Sequence, residues 1–108
     1  MNAHATQQTI LECYEAIARL SRTMVDAARH ADWESLAAAE RICGLVIERL
    51  QAYGDPEQRL GPDGRRQRFA ILRRVLADDA AIRRYTEPSL ARLDAGLLAP
   101  ARGAPRGG

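Results

Sequence analysis

A chain of 108 residues with 46% hydrophobic but only 5% aromatic content has the makings of one small domain of closely packed helices rather than a β-sandwich. Its sixteen basic residues are all arginine, set against fourteen acids for a net charge of +2, a balance too even to name a partner. No apolar run is long enough to span a bilayer and no basic start with an apolar core marks a signal peptide; Cys13 and Cys43, each on an apolar helix face, read as reduced core residues of a cytosolic protein.

The first predicted element is a helix over residues 6–29. Its apolar seam runs Ile10, Cys13 or Tyr14, Ile17, Leu20 or Ser21, Met24, and Ala27 or Ala28. His30-Ala31-Asp32 then turns the chain. Asp32 has the chemistry of an N-cap, because its carboxylate accepts from the exposed N–H groups of the next turn. A second helix follows over residues 33–52, with Trp33, Leu36, Glu40, Cys43, Ile47 and Leu50 at three-four spacing. On that pattern Trp33 is the largest packing residue at the loop end, and its truncation to alanine should cost about 3–5 kcal/mol. The two seams make an antiparallel αα-hairpin.

Residues 54–64 form a linker holding three glycines and two prolines. A third helix is expected over residues 65–98, with Asp63 as its cap and a kink or break at 86–89, where Pro88 falls. One stripe carries Leu72, Leu76, Leu90, Leu93 and Leu97; the other carries Phe69 or Ile71, Val75, Ile82 and Tyr85. Residues 99–108 read as a disordered tail, leaving 1–98 as the single helical domain. The fold class is therefore all-α: an antiparallel three-helix bundle with a long third helix.

Length adds an argument. At 1.5 Å per residue the three helices measure about 36, 30 and 50 Å, so the third overhangs both others. It has two apolar stripes and only two helices to cover them, which leaves room for a fourth helix and a surplus of apolar surface. Ile47, Leu50, Leu72, Val75, Leu76, Leu90, Leu93 and Leu97 are the candidate lining of such a groove. Periodicity does not say which of them are groove and which are core.

Catalysis finds no foothold. His4 and His30 share no helix face with a cysteine or carboxylate at metal-ligand spacing, and no Glu-x-x-His pair is present. Asp78 and Asp79, being adjacent on a helix, point about 100° apart and make a poor acid-base couple. No serine or cysteine has a base at recognisable spacing. Glu40, on the seam of the second helix, reads as an ion-pair partner for the third or as a carboxylate at the bundle edge. The chain is thus read as a non-enzyme without cofactor or metal. Charge is uneven, with nine acids and five arginines in residues 1–57 but five acids and eleven arginines in 58–108. The basic half would suit a small regulator contacting nucleic acid or a transcription factor, but a solvated arginine face is the plainer reading.

Several of these runs resemble one family. Leu20-Ser21 through Met24, Ala27-Ala28, the Asp32-Trp33 turn with Leu36, Ala39-Glu40-Arg41, Ile47-Glu48-Arg49-Leu50, and the later stretches Ile71 to Ile82 and Leu90 to Leu93 are similar to the flagellar filament-cap export chaperones of the FliT type. The resemblance covers roughly residues 10–98, and Asp-Trp-x-x-Leu is its most distinctive mark. It implies a cytoplasmic type III flagellar export chaperone that binds the C-terminal segment of the filament-cap protein and delivers it to the export ATPase complex and the export gate. The residues themselves, with no nucleic-acid-binding motif and no long apolar run, are read as giving no nucleic acid partner and no direct membrane insertion. A second copy of the chain, paired through Leu90 to Leu98 as a structural helical dimer, is the other partner in view.

Overall fold

The computed structural model describes the backbone of residues 3–106 and the side chains of residues 3–87. Within them every regular element is a helix: α1 (Ala3–Arg29), α2 (Trp33–Gln51), α3 (Pro56–Arg59) and α4 (Pro62–Arg106). The all-α expectation holds. α1 is the centre of the assembly, because α2 and α4 both pack along it and scarcely touch each other. The hairpin sends α2 back antiparallel to α1, and α4 then runs parallel to α1.

The α1–α2 turn is built from local hydrogen bonds. Asp32 N–H donates to Ala27 C=O at 2.8 Å and Ala31 N–H to Ala28 C=O at 3.1 Å, the paired closure that ends a helix with one left-handed residue. That residue is Ala31, at φ 55°, where glycine would be free of strain. Asp32 caps α2 as expected: its carboxylate accepts from Ser35 N–H at 3.1 Å and from the Ser35 hydroxyl at 2.7 Å. The Ser35 hydroxyl first, then the Ser35 amide, hold the Asp32 carboxyl below its ordinary range. A carboxyl whose folded value is depressed contributes stability above its unfolded value, and that contribution is lost as pH falls through the folded value. Asp32→Ala should therefore melt below the parent at neutral pH, with the gap closing in acid. A gap that stays constant from neutral to acid pH would rule out the charged cap.

The linker holds more structure than its composition suggests. Asp55 accepts from Glu57 N–H at 2.9 Å, Pro56 occupies the first helical position, and the single turn α3 results. Its product is the placement of Leu60, which is buried at the base of the core with Ile10, Tyr14, Ile17, Ala18 and Ile71. α4 also starts earlier than expected, at Pro62 rather than residue 65. Gly61 C=O accepts from Arg65 N–H at 2.9 Å, and Pro62, which lacks an amide hydrogen, costs nothing at a helix start. Asp63 lies inside the first turn, ion-paired with Arg66.

Of the kink or break expected at 86–89, a break does not occur: α4 is one element from Pro62 to Arg106. Pro88 withdraws one N–H from the ladder and crowds the preceding turn, which bends or weakens a helix without necessarily ending it. The Thr86 hydroxyl donates back to Ile82 C=O at 3.1 Å in that turn, a bond that accompanies bending. Helical backbone also replaces most of the expected disordered tail. Pro100 and Pro105 each remove one N–H from the ladder there without ending the element, which runs to Arg106. α4 is thus about 67 Å long and sets the longest dimension of the molecule, 67 Å.

Three polar contacts fix the register of α4 on α1. Near the α4 start, Gly61 N–H donates to Gln7 Oε1 at 2.6 Å. One heptad on, Arg68 Nε donates to the Tyr14 hydroxyl at 2.9 Å while its guanidinium also reaches Glu57 of α3 at 3.5 Å. Further along, the buried Ser21 hydroxyl donates to Asp78 Oδ2 at 2.7 Å, and Arg22 pairs with the other oxygen at 3.3 Å. Gln7, Tyr14 and Ser21 lie seven apart, on the same stripe of α1, so each contact repeats the parallel alignment.

Candidate binding groove

The face that α2 buries is rotated from the predicted one. Leu36 and Ala39 are buried, and Cys43, Val46 and Leu50 pack half-buried against α1; Glu40 and Ile47 are exposed. Two of the predicted seam positions thus give way to their neighbours, Ala39 for Glu40 and Val46 for Ile47. The small Ala39 lets the two helices approach closely, and a carboxylate at position 40 stays in water. Glu40 makes no ion pair among the described residues. Burial raises the pKa of the Cys43 thiol.

Trp33 is corrected with them. It is 46% exposed and no member of the core, so it is a rim residue and not the main packing group of the loop end. At the first position of α2, the rotation that buries Leu36 and Ala39 carries its side chain outward.

Four exposed apolar residues, Trp33, Ile47, Phe69 and Leu76, share one side of the bundle, while Ile42, Leu45 and Tyr85 lie elsewhere. The far sides of the bundle are identified by their crevices: Val46 and Arg49 meet Cys13 and Ala16 on one, while Arg74 and Ala77 meet Ala18 and Arg22 on the other. The opposite flanks, by helical rotation, carry Trp33, Glu40 and Ile47 on α2 and Phe69, Leu72 and Leu76 on α4. Both flanks lie on the side of the bundle where the strip of α1 between its two contact stripes holds Ile10 and Ile17. Phe69 is 63% exposed and Leu76 is 68% exposed, which no solvated surface requires of two large apolar side chains one heptad apart. Because Cys13 lies beside Val46 and Tyr14 beside Arg68, Ile47 and Phe69 fall at the same height on opposite walls.

Each candidate lining residue can now be placed. Ile47 and Leu76 stand exposed on the two walls. Leu72 is half-buried at the foot of the α4 wall, against the core. Leu50 and Val75 pack on the core cluster and belong more to the bundle than to the groove. Leu90, Leu93 and Leu97 lie outside the described residues. Sequence reasoning missed Phe69 and Trp33 as wall residues, though Phe69-Leu72-Leu76 at three-four spacing was a usable signal. Among the described residues no group of three or more His, Cys, Asp or Glu side chains is placed to hold a metal ion, and no helix is long and apolar enough to cross a membrane.

Comparison with known proteins matches this architecture. The sequence model of the family described as "Flagellar protein FliT" matches residues 11–102. No curated protein matches the chain. Among solved structures, the crystal structure of flagellar protein FliT from Bordetella bronchiseptica is similar at 33% sequence identity and a TM-score of 0.68. That match covers 79% of this chain and 95% of the other. A family match spanning most of α1, all of α2 and α3 and nearly all of α4, joined to a structural match of that identity, leaves one assignment: this chain belongs to the FliT family of flagellar proteins.

Proposed function

We propose that this FliT-family flagellar export chaperone uses the α2–α4 groove to hold one amphipathic helix of its client, the C-terminal segment of the filament-cap protein. The observation that carries the reading is the exposed apolar side chains Trp33 and Ile47 on α2 and Phe69 and Leu76 on α4, with Leu72 half-buried beside them, on two helices that pack on α1 and scarcely touch each other. A client helix lying between them would take the place of a fourth bundle member, as in other helix-in-groove recognition. Each leucine-sized anchor buried there contributes roughly 1.5–3 kcal/mol of transfer free energy, so three or four suffice for a specific complex after the cost of association. Held in this way, the client's own assembly surface is covered in the cytoplasm until it is passed to the export ATPase complex and gate. The chain supplies binding and no covalent chemistry.

The test is Ile47→Asp combined with Leu76→Asp. Both residues are exposed, so circular dichroism should show an intact helical bundle. Titration with the filament-cap C-terminal segment should then show affinity reduced by at least tenfold, which corresponds to only about 1.4 kcal/mol. A folded double variant that binds the segment as tightly as the parent removes the groove from consideration. A parent that never binds it removes the cap protein as client.

A further inference from the structure

The face of the bundle opposite the apolar groove carries a second surface. There α1 and α4 enclose an open crevice of about 370 Å³ lined by Ala18, Arg19, Arg22, Arg74, Ala77 and Asp78. It continues along α4 past Ala70 and Arg73. The floor is alanine, which lets a partner's backbone come close, and the rim is arginine.

We propose that this crevice is a docking site for an acidic, helical segment of a protein partner, separate from the apolar groove. Three observations carry it. First, Arg19, Arg73 and Arg74 are exposed and make no ion pair among the described residues, unlike Arg29, Arg66, Arg68 and Arg83. Second, the one acid lining the crevice among the described residues is already engaged: Asp78 accepts from the buried Ser21 hydroxyl at 2.7 Å and from Arg22 at 3.3 Å. Its carboxylate is held at the crevice bottom and cannot swing out to neutralise the rim, so the four arginines keep a net positive field. Guanidinium groups on both walls of one crevice suit carboxylates presented in succession from a helix, because an arginine fork takes a carboxylate through two N–H groups.

Third, the charge along this face changes sign. Toward the N-terminal end of α1, the same side of the α1–α4 pair presents Glu12, Glu15 and Asp63 around a second open crevice. A nucleic acid backbone is negative along its whole length and would meet these acids with repulsion. A protein segment with its acids grouped at one end does not. The polarity also orients the partner, whose acidic stretch lies over Arg19, Arg22, Arg73 and Arg74.

The probe is a fluorescent synthetic helical peptide with glutamates repeated at three-four spacing on one face. The control peptide carries glutamine at those positions. Anisotropy titration of the full chain should show binding of the glutamate peptide only, weakening as salt is raised. The combination Arg19→Ala, Arg73→Ala and Arg74→Ala should weaken it by at least about tenfold. Should that variant lose helicity, Arg73→Gln with Arg74→Gln on α4 alone is read in its place and should weaken binding in the same direction. The groove variant Ile47→Asp, on α2 and away from the crevice between α1 and α4, should bind the peptide like the parent, which keeps this result independent of the client reading. The proposal is overturned if the parent does not bind the glutamate peptide, if the glutamine peptide or the arginine variants bind equally well, or if duplex DNA displaces the peptide at equal charge.

Discussion

Replacing Ile10 by alanine should lower the free energy of unfolding by about 2–5 kcal/mol, the range for losing a branched side chain from a closed core. Ile10 is 1% exposed and is the largest fully buried side chain among the described residues. It sits on the strip of α1 between the two contact stripes, packed in one cluster with Tyr14, Ile17, Leu60 and Ile71. Its loss therefore loosens α4 and the α3 segment at once. In a domain of this size each kcal/mol corresponds to roughly 4–8 °C of melting temperature, so the effect is well within reach of a thermal melt. Leu45→Ala is the control: Leu45 is exposed on the outer face of α2, and its truncation should change stability by no more than about 0.5 kcal/mol. If the two variants melt together, the core has been placed on the wrong side of α1.

Gly64 gives the second large effect, through close approach. It is buried where the start of α4 meets α1, and a Cβ built there lies 2.9 Å from Gln7 Oε1 and 3.3 Å from both Cβ and Cδ2 of Leu60. Alanine at this position gains helix propensity, about 1 kcal/mol in an exposed interior, but it displaces the Gln7 oxygen from the Gly61 amide. The two effects nearly cancel. Gly64→Val adds two more carbons against Leu60, which has no room to move, and overpacking of that kind costs about 1–3 kcal/mol. Faster hydrogen exchange at the Gly61 amide should accompany the loss, since the Gln7 contact is the first to break. A valine variant as stable as the parent, with Gly61 equally protected, would mean that α1 and α4 are not so close at this end.

Local chemistry made much of this protein legible from sequence. Asp32 was recognisable as a cap because its side chain acts within three residues of itself, and the α1–α2 hairpin follows from two seams and a short turn. The all-α class and the family resemblance rest on the same short-range periodicity. Even α3 and the early start of α4 had local signals, since Asp55-Pro56 and Gly61-Pro62 each place proline at the first helical position.

What needed the tertiary structure was the choice between neighbouring faces. A three-four pattern is satisfied equally by 36-40-43-47 and by 36-39-43-46, and only the approach of α1 selects the second, burying Ala39 and half-burying Val46 while turning Glu40 and Ile47 outward. The same rotation exposes Trp33, which propensity and size alone place inside. The arginines divide for the same reason: Arg22 and Arg68 are tied to partners more than fifty positions away or across α3, while Arg19, Arg73 and Arg74 remain open. Sequence determines which residues share a helix face, because that depends on 3.6 residues per turn. Which face meets which neighbour depends on packing between helices far apart in the chain, and that decided which apolar side chains stay exposed and which arginines rim the crevice between α1 and α4.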